Sequence, residues 1–114
     1  MTRCSPGDVV LVLFPFTDLT SAKRRPAVVV SPAEYSSRHG DAVVLALTSQ
    51  NPGDNRLQLG GWRRAGLPKP TWFKPLLATV SNSVVLRRLG RLTEEDVKVA
   101  ATAVARAVDR PFRA

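Results

Sequence analysis

Three cations stand together at Lys23-Arg24-Arg25, directly before Pro26. A guanidinium offers five donors in a rigid fork that suits a phosphate. Pro26 restricts Arg25 to an extended backbone, which fixes where its side chain leaves the chain. The tripeptide reads equally as an ordinary solvated basic turn. Thr48-Ser49-Gln50 follows the most apolar stretch of the chain. Its hydroxyls and amide could hydrogen-bond phosphate or base edges at a strand-end cleft, or simply cap the strand.

Other polar and aromatic residues narrow the chemistry. His39 is the single histidine, so one chain cannot use one histidine as base and another as acid; the plain reading is an exposed turn residue. Trp62, Trp72 and Phe73 lie among Arg63, Arg64, Lys69 and Lys74. Aromatics interleaved with cations can stack on unpaired bases, and they can equally be core and loop packing. Cys4 is the single cysteine. No internal disulfide can form, and a zinc site lacks ligands. The sequence holds no phosphate-binding glycine loop, paired-carboxylate arrangement or Cys/His nucleophile signature. No metal and no cofactor is expected.

Seventeen Lys+Arg against nine Asp+Glu leave a net charge of +8 on 114 residues. That charge attracts polyanions over a Debye length, about 8 Å at physiological salt. RNA, DNA and acidic proteins all qualify. A hydrophobic content of 44% suits a folded chain rather than a disordered one. No apolar run approaches the ~20 residues that span a bilayer, and Met1 to Pro6 lacks the pattern of a signal peptide. The expectation is a cytoplasmic protein away from membranes.

The elements that must position these residues are mostly strands. No repeat or linker interrupts the sequence, so residues 1–114 read as one domain. Val9–Leu13, Ala27–Val30 and Ala42–Leu47 are short apolar runs bounded by Gly, Pro, Ser and Asp, and predict buried strands. Asn55–Leu59 alternates and predicts a half-exposed strand. Leu76–Val80 and Val84–Leu89 are weaker strand candidates. Phe16–Arg25 and Gly60–Pro70 predict long loops, common carriers of function on small β scaffolds. Thr93-Glu94-Glu95-Asp96 predicts a capped helix start. Val97, Ala100, Ala101, Val104 and Val108 then form an apolar face, and Pro111 ends the helix. The sum is a mainly β protein (α+β by content): a small, barrel-like antiparallel sheet with a C-terminal α-helix.

Taken in order, these pieces resemble the MazF/PemK-type toxins of type II toxin-antitoxin systems. Gly7-Asp8-Val9-Val10-Leu11-Val12, a loop, and Arg24-Arg25-Pro26-Ala27-Val28-Val29-Val30-Ser31 resemble that family's opening. Phe14-Pro15-Phe16-Thr17-Asp18-Leu19 is similar to a PemK-like subgroup. Ala46-Leu47-Thr48-Ser49-Gln50 resembles the second motif; Ala65-Gly66-Leu67-Pro68-Lys69-Pro70 and Leu89-Gly90-Arg91-Leu92 resemble later ones. The resemblance spans Gly7 to about Val108.

It implies an SH3-like β-barrel of the MazF/CcdB type, a homodimer and a cognate acidic antitoxin similar to MazE. It also implies sequence-specific, metal-independent cleavage of single-stranded mRNA, leaving 2′,3′-cyclic phosphate and 5′-OH ends. By motif position, the catalytic residues fall on Arg25 and Thr48. Lys23, Arg24, Ser49, Gln50, Arg63, Arg64 and Lys74 are the expected RNA-binding residues. Some members carry an arginine and then an aspartate in the strand after the Gly-Leu-x-Lys-Pro segment. Lys74-Pro75-Leu76 stands there in this chain, with no carboxylate, so a mechanism using that aspartate as base is not open to it. Two other readings fit the same fold and charge: a CcdB-like non-enzymatic inhibitor of DNA gyrase, and a basic RNA- or DNA-binding module.

Overall fold

The computed structural model describes residues 4–15 and 22–112. Most of the predicted Phe16–Arg25 loop therefore lies outside the described residues. Five antiparallel strands form one sheet: β1 (Asp8–Pro15), β2 (Ala22–Val29), β3 (Asp41–Thr48), β4 (Trp72–Ser81) and β5 (Val85–Arg91). Their order is β4-β3-β2-β1-β5. Helix α1 (Ala33–His39) precedes β3, and helix α2 (Glu94–Phe112) ends the described chain.

The expected closure into a barrel is absent from the hydrogen bonding: β4 and β5 are the two edges of an open sheet. The sheet nevertheless curls. Laid flat at ~4.8 Å per strand, its edges would stand about 19 Å apart. A single 3₁₀ turn, Asn82–Val84, joins β4 to β5, and such a turn advances only ~2 Å per residue.

Alternation along the strands sorts the apolar residues onto two faces. Val10, Val12, Ala27, Val29, Ala42 and Val44 pack together with Cys4, Val80 and Val85. Val9, Val28, Leu45 and Leu47 form the other face, covered by Leu57, Leu59, Ala65, Leu67 and the α2 residues Ala100 and Ala103.

Several expected elements shift. β2 begins at Ala22, so Lys23, Arg24 and Arg25 are strand residues paired with Phe14, Leu13 and Val12 rather than the end of a loop. Asn55–Leu59 keeps its alternation, with Leu57 and Leu59 buried, but it is not a strand. Asp54 accepts the Arg56 N–H and starts a 3₁₀ turn at Asn55–Leu57, which leaves only one bridge, Gln58 to Trp72. Local capping by a short acidic side chain outcompetes the ladder here.

β4 starts at Trp72, four residues earlier than the Leu76 expected from sequence. Leu45 pairs with Leu77 and Leu47 with Phe73, so Lys74-Pro75-Leu76 bulges out opposite Ala46. Pro75 has no N–H to give a ladder, and an edge-strand bulge accommodates that.

Helix α1 was not foreseen. Its signals are Pro32 before the first turn, Glu34 within it, Arg38 and His39 in the last turn, and left-handed Gly40 closing onto the Ser36 carbonyl. His39 thus ends a helix rather than sitting in a free turn. In α2, Thr93 accepts the Asp96 N–H as expected. The buried face is rotated from the one predicted. Ala100 and Ala103 are buried, whereas Val97 and Val108 are 48% and 40% exposed, and Ala101 is exposed too. The helix also runs one residue past Pro111.

Two contacts hold the Gly60–Pro70 loop. Buried Asp96 accepts the backbone N–H groups of Gly60 (3.0 Å) and Gly61 (2.9 Å). Gly66, at φ +82°, lies so close to β5 that a Cβ would overlap the Leu89 carbonyl. At the other end of α2, Arg106 reaches Asp54 at 2.6 Å. Hydrogen bonds from Arg56 and then Arg106 hold the Asp54 carboxyl below the usual carboxylate range.

Asp96→Ala removes the shared acceptor of two part-buried backbone N–H groups, and should lower unfolding stability by about 1–3 kcal/mol in urea titration. Gly66→Ala should lower it by at least ~2 kcal/mol, since strain at positive φ adds to the overlap with β5.

Candidate functional site

The hydrogen-bonded register of β2 with β3 runs Val29↔Val44, Val28↔Leu45, Ala27↔Ala46 and stops. Continuing it by two residues would set Arg25 opposite Thr48. Instead the strands part. From Ala22 to Pro26, β2 pairs only with β1, and the side that β3 would have occupied is open. A cleft of about 470 Å³ lies at this fork. Arg24, Arg25 and Pro26 come from β2, Leu47, Thr48 and Ser49 from the end of β3. Gly66 to Lys69 supply another wall, and Leu11, Arg87 and Leu89 complete it from β1 and β5.

The electrostatics are one-sided. Among the described residues, Arg24, Arg25, Lys69 and Arg87 line the cleft and no carboxylate does. Leucines at 11, 47, 67 and 89 form an apolar floor beneath those cations, which weakens water's screening of charge. Among the described residues, Arg24, Lys69 and Arg87 make no ion pair. The Thr48 Oγ1 accepts the Gln50 N–H at 3.1 Å. A hydroxyl that accepts one bond keeps its own proton to donate. The Thr71 Oγ1 donates to the Lys69 carbonyl at 2.9 Å and braces the loop that carries the lysine. Such a cleft can bind an anion, neutralise it and donate to it.

Of the residues predicted from sequence, Arg24, Arg25, Thr48 and Ser49 meet at this cleft. Lys23 neighbours them on β2 without lining it, and Gln50 is exposed just beyond Ser49. Lys74 is exposed on the β4 bulge. Arg63 and Arg64 are exposed in the Gly60–Gly66 turn, with the Arg63 guanidinium 4.9 Å from the Trp62 ring. Trp72 and Phe73 are core residues, 8% and 0% exposed, so they offer no stacking surface. His39 stacks on Tyr35 at 4.7 Å. It precedes β3, while Thr48 ends that strand, about 23 Å away at strand rise.

Sequence reasoning missed Lys69 and Arg87 as cleft residues. Arg87 reaches the cleft through its pairing with Leu11 of β1, a register that the sequence of β5 does not reveal. No group of three His, Cys, Asp or Glu gathers among the described residues. No described helix is long and apolar enough to cross a membrane.

No curated protein matches the sequence. Solved structures are similar in fold. A MazE-MazF complex from Deinococcus radiodurans aligns at TM-score 0.75 and 15% identity, covering 95% of this chain and 98% of that one. An endoribonuclease from a mycobacterial species aligns at 0.72 and 18% identity, covering 98% and 97%. The Mycobacterium tuberculosis toxin MazF-mt6 aligns at 0.69 and 19% identity, covering 90% and 96%. Residues 5–108 match the family profile described as PemK-like, MazF-like toxin of type II toxin-antitoxin system. The chain, mainly β with a MazF-like fold, therefore belongs to the PemK/MazF-like toxin family of type II toxin-antitoxin systems.

Proposed function

We propose that this toxin is a metal-independent, sequence-specific endoribonuclease that cuts single-stranded mRNA in the cleft between β2 and β3. The observation that carries the reading is the shared location of Arg25 and Thr48. One guanidinium and one hydroxyl come from two strands and border a single basic cleft that no carboxylate lines among the described residues.

RNA brings its own nucleophile. The 2′ oxygen bonds to the adjacent phosphorus, and the bond from phosphorus to the 5′ oxygen breaks. Overall, one proton passes from the 2′ to the 5′ oxygen. The products are a 2′,3′-cyclic phosphate and a 5′-OH. Negative charge grows on the non-bridging phosphate oxygens during this exchange. Arg25 neutralises that charge, and Thr48 donates a hydrogen bond to it. In this reading Arg25 acts through its charge rather than as a base. Arg24 and Ser49 grip the same stretch of RNA. Lys23, Gln50, Arg63, Arg64 and Lys74 attract the strand outside the cleft and contribute to base choice.

A +8 chain with this groove suits a cognate antitoxin carrying an acidic segment similar to MazE. The chain works as a cytoplasmic homodimer in this reading. Leu76, Leu86, Val97 and Val108 are large apolar side chains at least 40% exposed, surface that a second copy would cover.

Mixed-sequence RNA incubated with the protein and EDTA should be cut to fragments with cyclic-phosphate ends. Binding without cuts would instead make the chain a nucleic-acid module, and neither binding nor cutting would favour a gyrase inhibitor. Arg25→Ala and Thr48→Ala should each keep the wild-type circular dichroism and lose about 10²–10³ in cleavage rate. Full activity in either variant removes that residue from the mechanism.

A further inference from the structure

The cleft contains more positive charge than one phosphate requires. A phosphodiester linkage carries a single negative charge, and among the described residues four cations line the cleft. They are also not gathered at one point. Leu11 of β1 pairs with Pro26 on one side and with Arg87 on the other. Pro26, Leu11 and Arg87 thus make one row across three strands, and all three line the cleft. The strands that carry Arg25 and Arg87 are two spacings apart, about 10 Å, with the Leu11 side chain in the row between.

The β5 strand itself separates the two roles of its Arg87-Arg88 pair. Its register with β1 slips at Leu86 and again at Leu89. Arg88 turns to the buried carboxylate of Asp8, 3.4 Å away. Arg87 takes the opposite face, exposed and without an ion pair among the described residues. Nothing in the packing accounts for a guanidinium there.

We infer that Arg87 forms a second anion subsite and holds the phosphate next to the one at Arg25 and Thr48. The cleft then grips a polynucleotide at two successive linkages. The inference rests on the reading of the cleft as an RNA groove. Arg87 is a positioning residue on this account: it fixes where the strand lies and leaves charge stabilisation at the scissile phosphate to Arg25.

Salt dependence counts phosphates directly. Each phosphate neutralised on a single strand contributes about 0.7 to the slope of log affinity against log salt. The probe is a labelled mixed-sequence dodecamer of DNA, which lacks the 2′-OH and cannot be cut by this chemistry. Arg87→Gln should weaken binding about tenfold at low salt and reduce the slope by about 0.7. Arg87→Lys should keep the wild-type slope. Arg25→Gln should also reduce it by about 0.7, and the double variant by about 1.4.

An unchanged slope in Arg87→Gln overturns the inference. So does a double variant that loses no more slope than either single one, because both arginines would then share one phosphate. Loss of slope in Arg87→Lys overturns it as well, since the charge is retained. A generalised structural defect would shift the melting of Arg87→Gln and would not produce additive slopes. Failure of the wild type to cut RNA in EDTA sinks the nuclease reading alone, because the DNA slopes are measured without cleavage.

Discussion

The site exists because one ladder ends early. β2 is eight residues long, and so is β3, but only three pairs join them. Where the strands stay together, Ala27, Val28 and Val29 are fully dry. Where they part, the same strand presents cations to water. Arg24 and Arg25, adjacent on β2, both border the cleft that opens there. Closing the ladder would satisfy more backbone groups and abolish the cavity.

The cleft's remaining wall is a loop with little regular structure, and it is fixed by contacts from two directions. Asp96 pins its start by taking two N–H groups into a buried carboxylate. Gly66 and Gly90 permit the backbones of loop and β5 to touch where any larger residue would collide. Lys69 is carried on the far side of that contact. The loop owes its position to the helix and to β5, so the groove depends on residues distant from it in sequence. Asp8, paired with Arg91 at 2.7 Å, secures the end of the same strand.

Much of this was legible in the sequence, for physical reasons that can be named. Apolar runs bounded by turn residues identified the cores of β1, β2 and β3, because a strand buried on both faces has little choice of composition. Thr93 announced the start of α2 through a cap that needs only local chemistry. The misreadings arose where two local rules competed. Asn55–Leu59 had strand alternation and turn chemistry together, and the Asp54 cap prevailed. The α2 face was misjudged because alanine and valine recur on more than one side of that helix, and only tertiary packing selects Ala103. Motif order singled out Arg25 and Thr48, and both border the same cleft. Arg87 was not, because its position relative to β2 depends on the β1 register, and no periodicity within β5 contains that information.

The Lys74-Pro75-Leu76 bulge has a consequence for the company this protein keeps. Edge strands are templates on which stray chains can polymerise. β4 is such an edge, and near its middle stand a ring without a donor, a charge and a looped-out backbone. An approaching strand would find its hydrogen-bond partners missing and out of step there. The interruption guards a small, curled sheet against growing into a fibre.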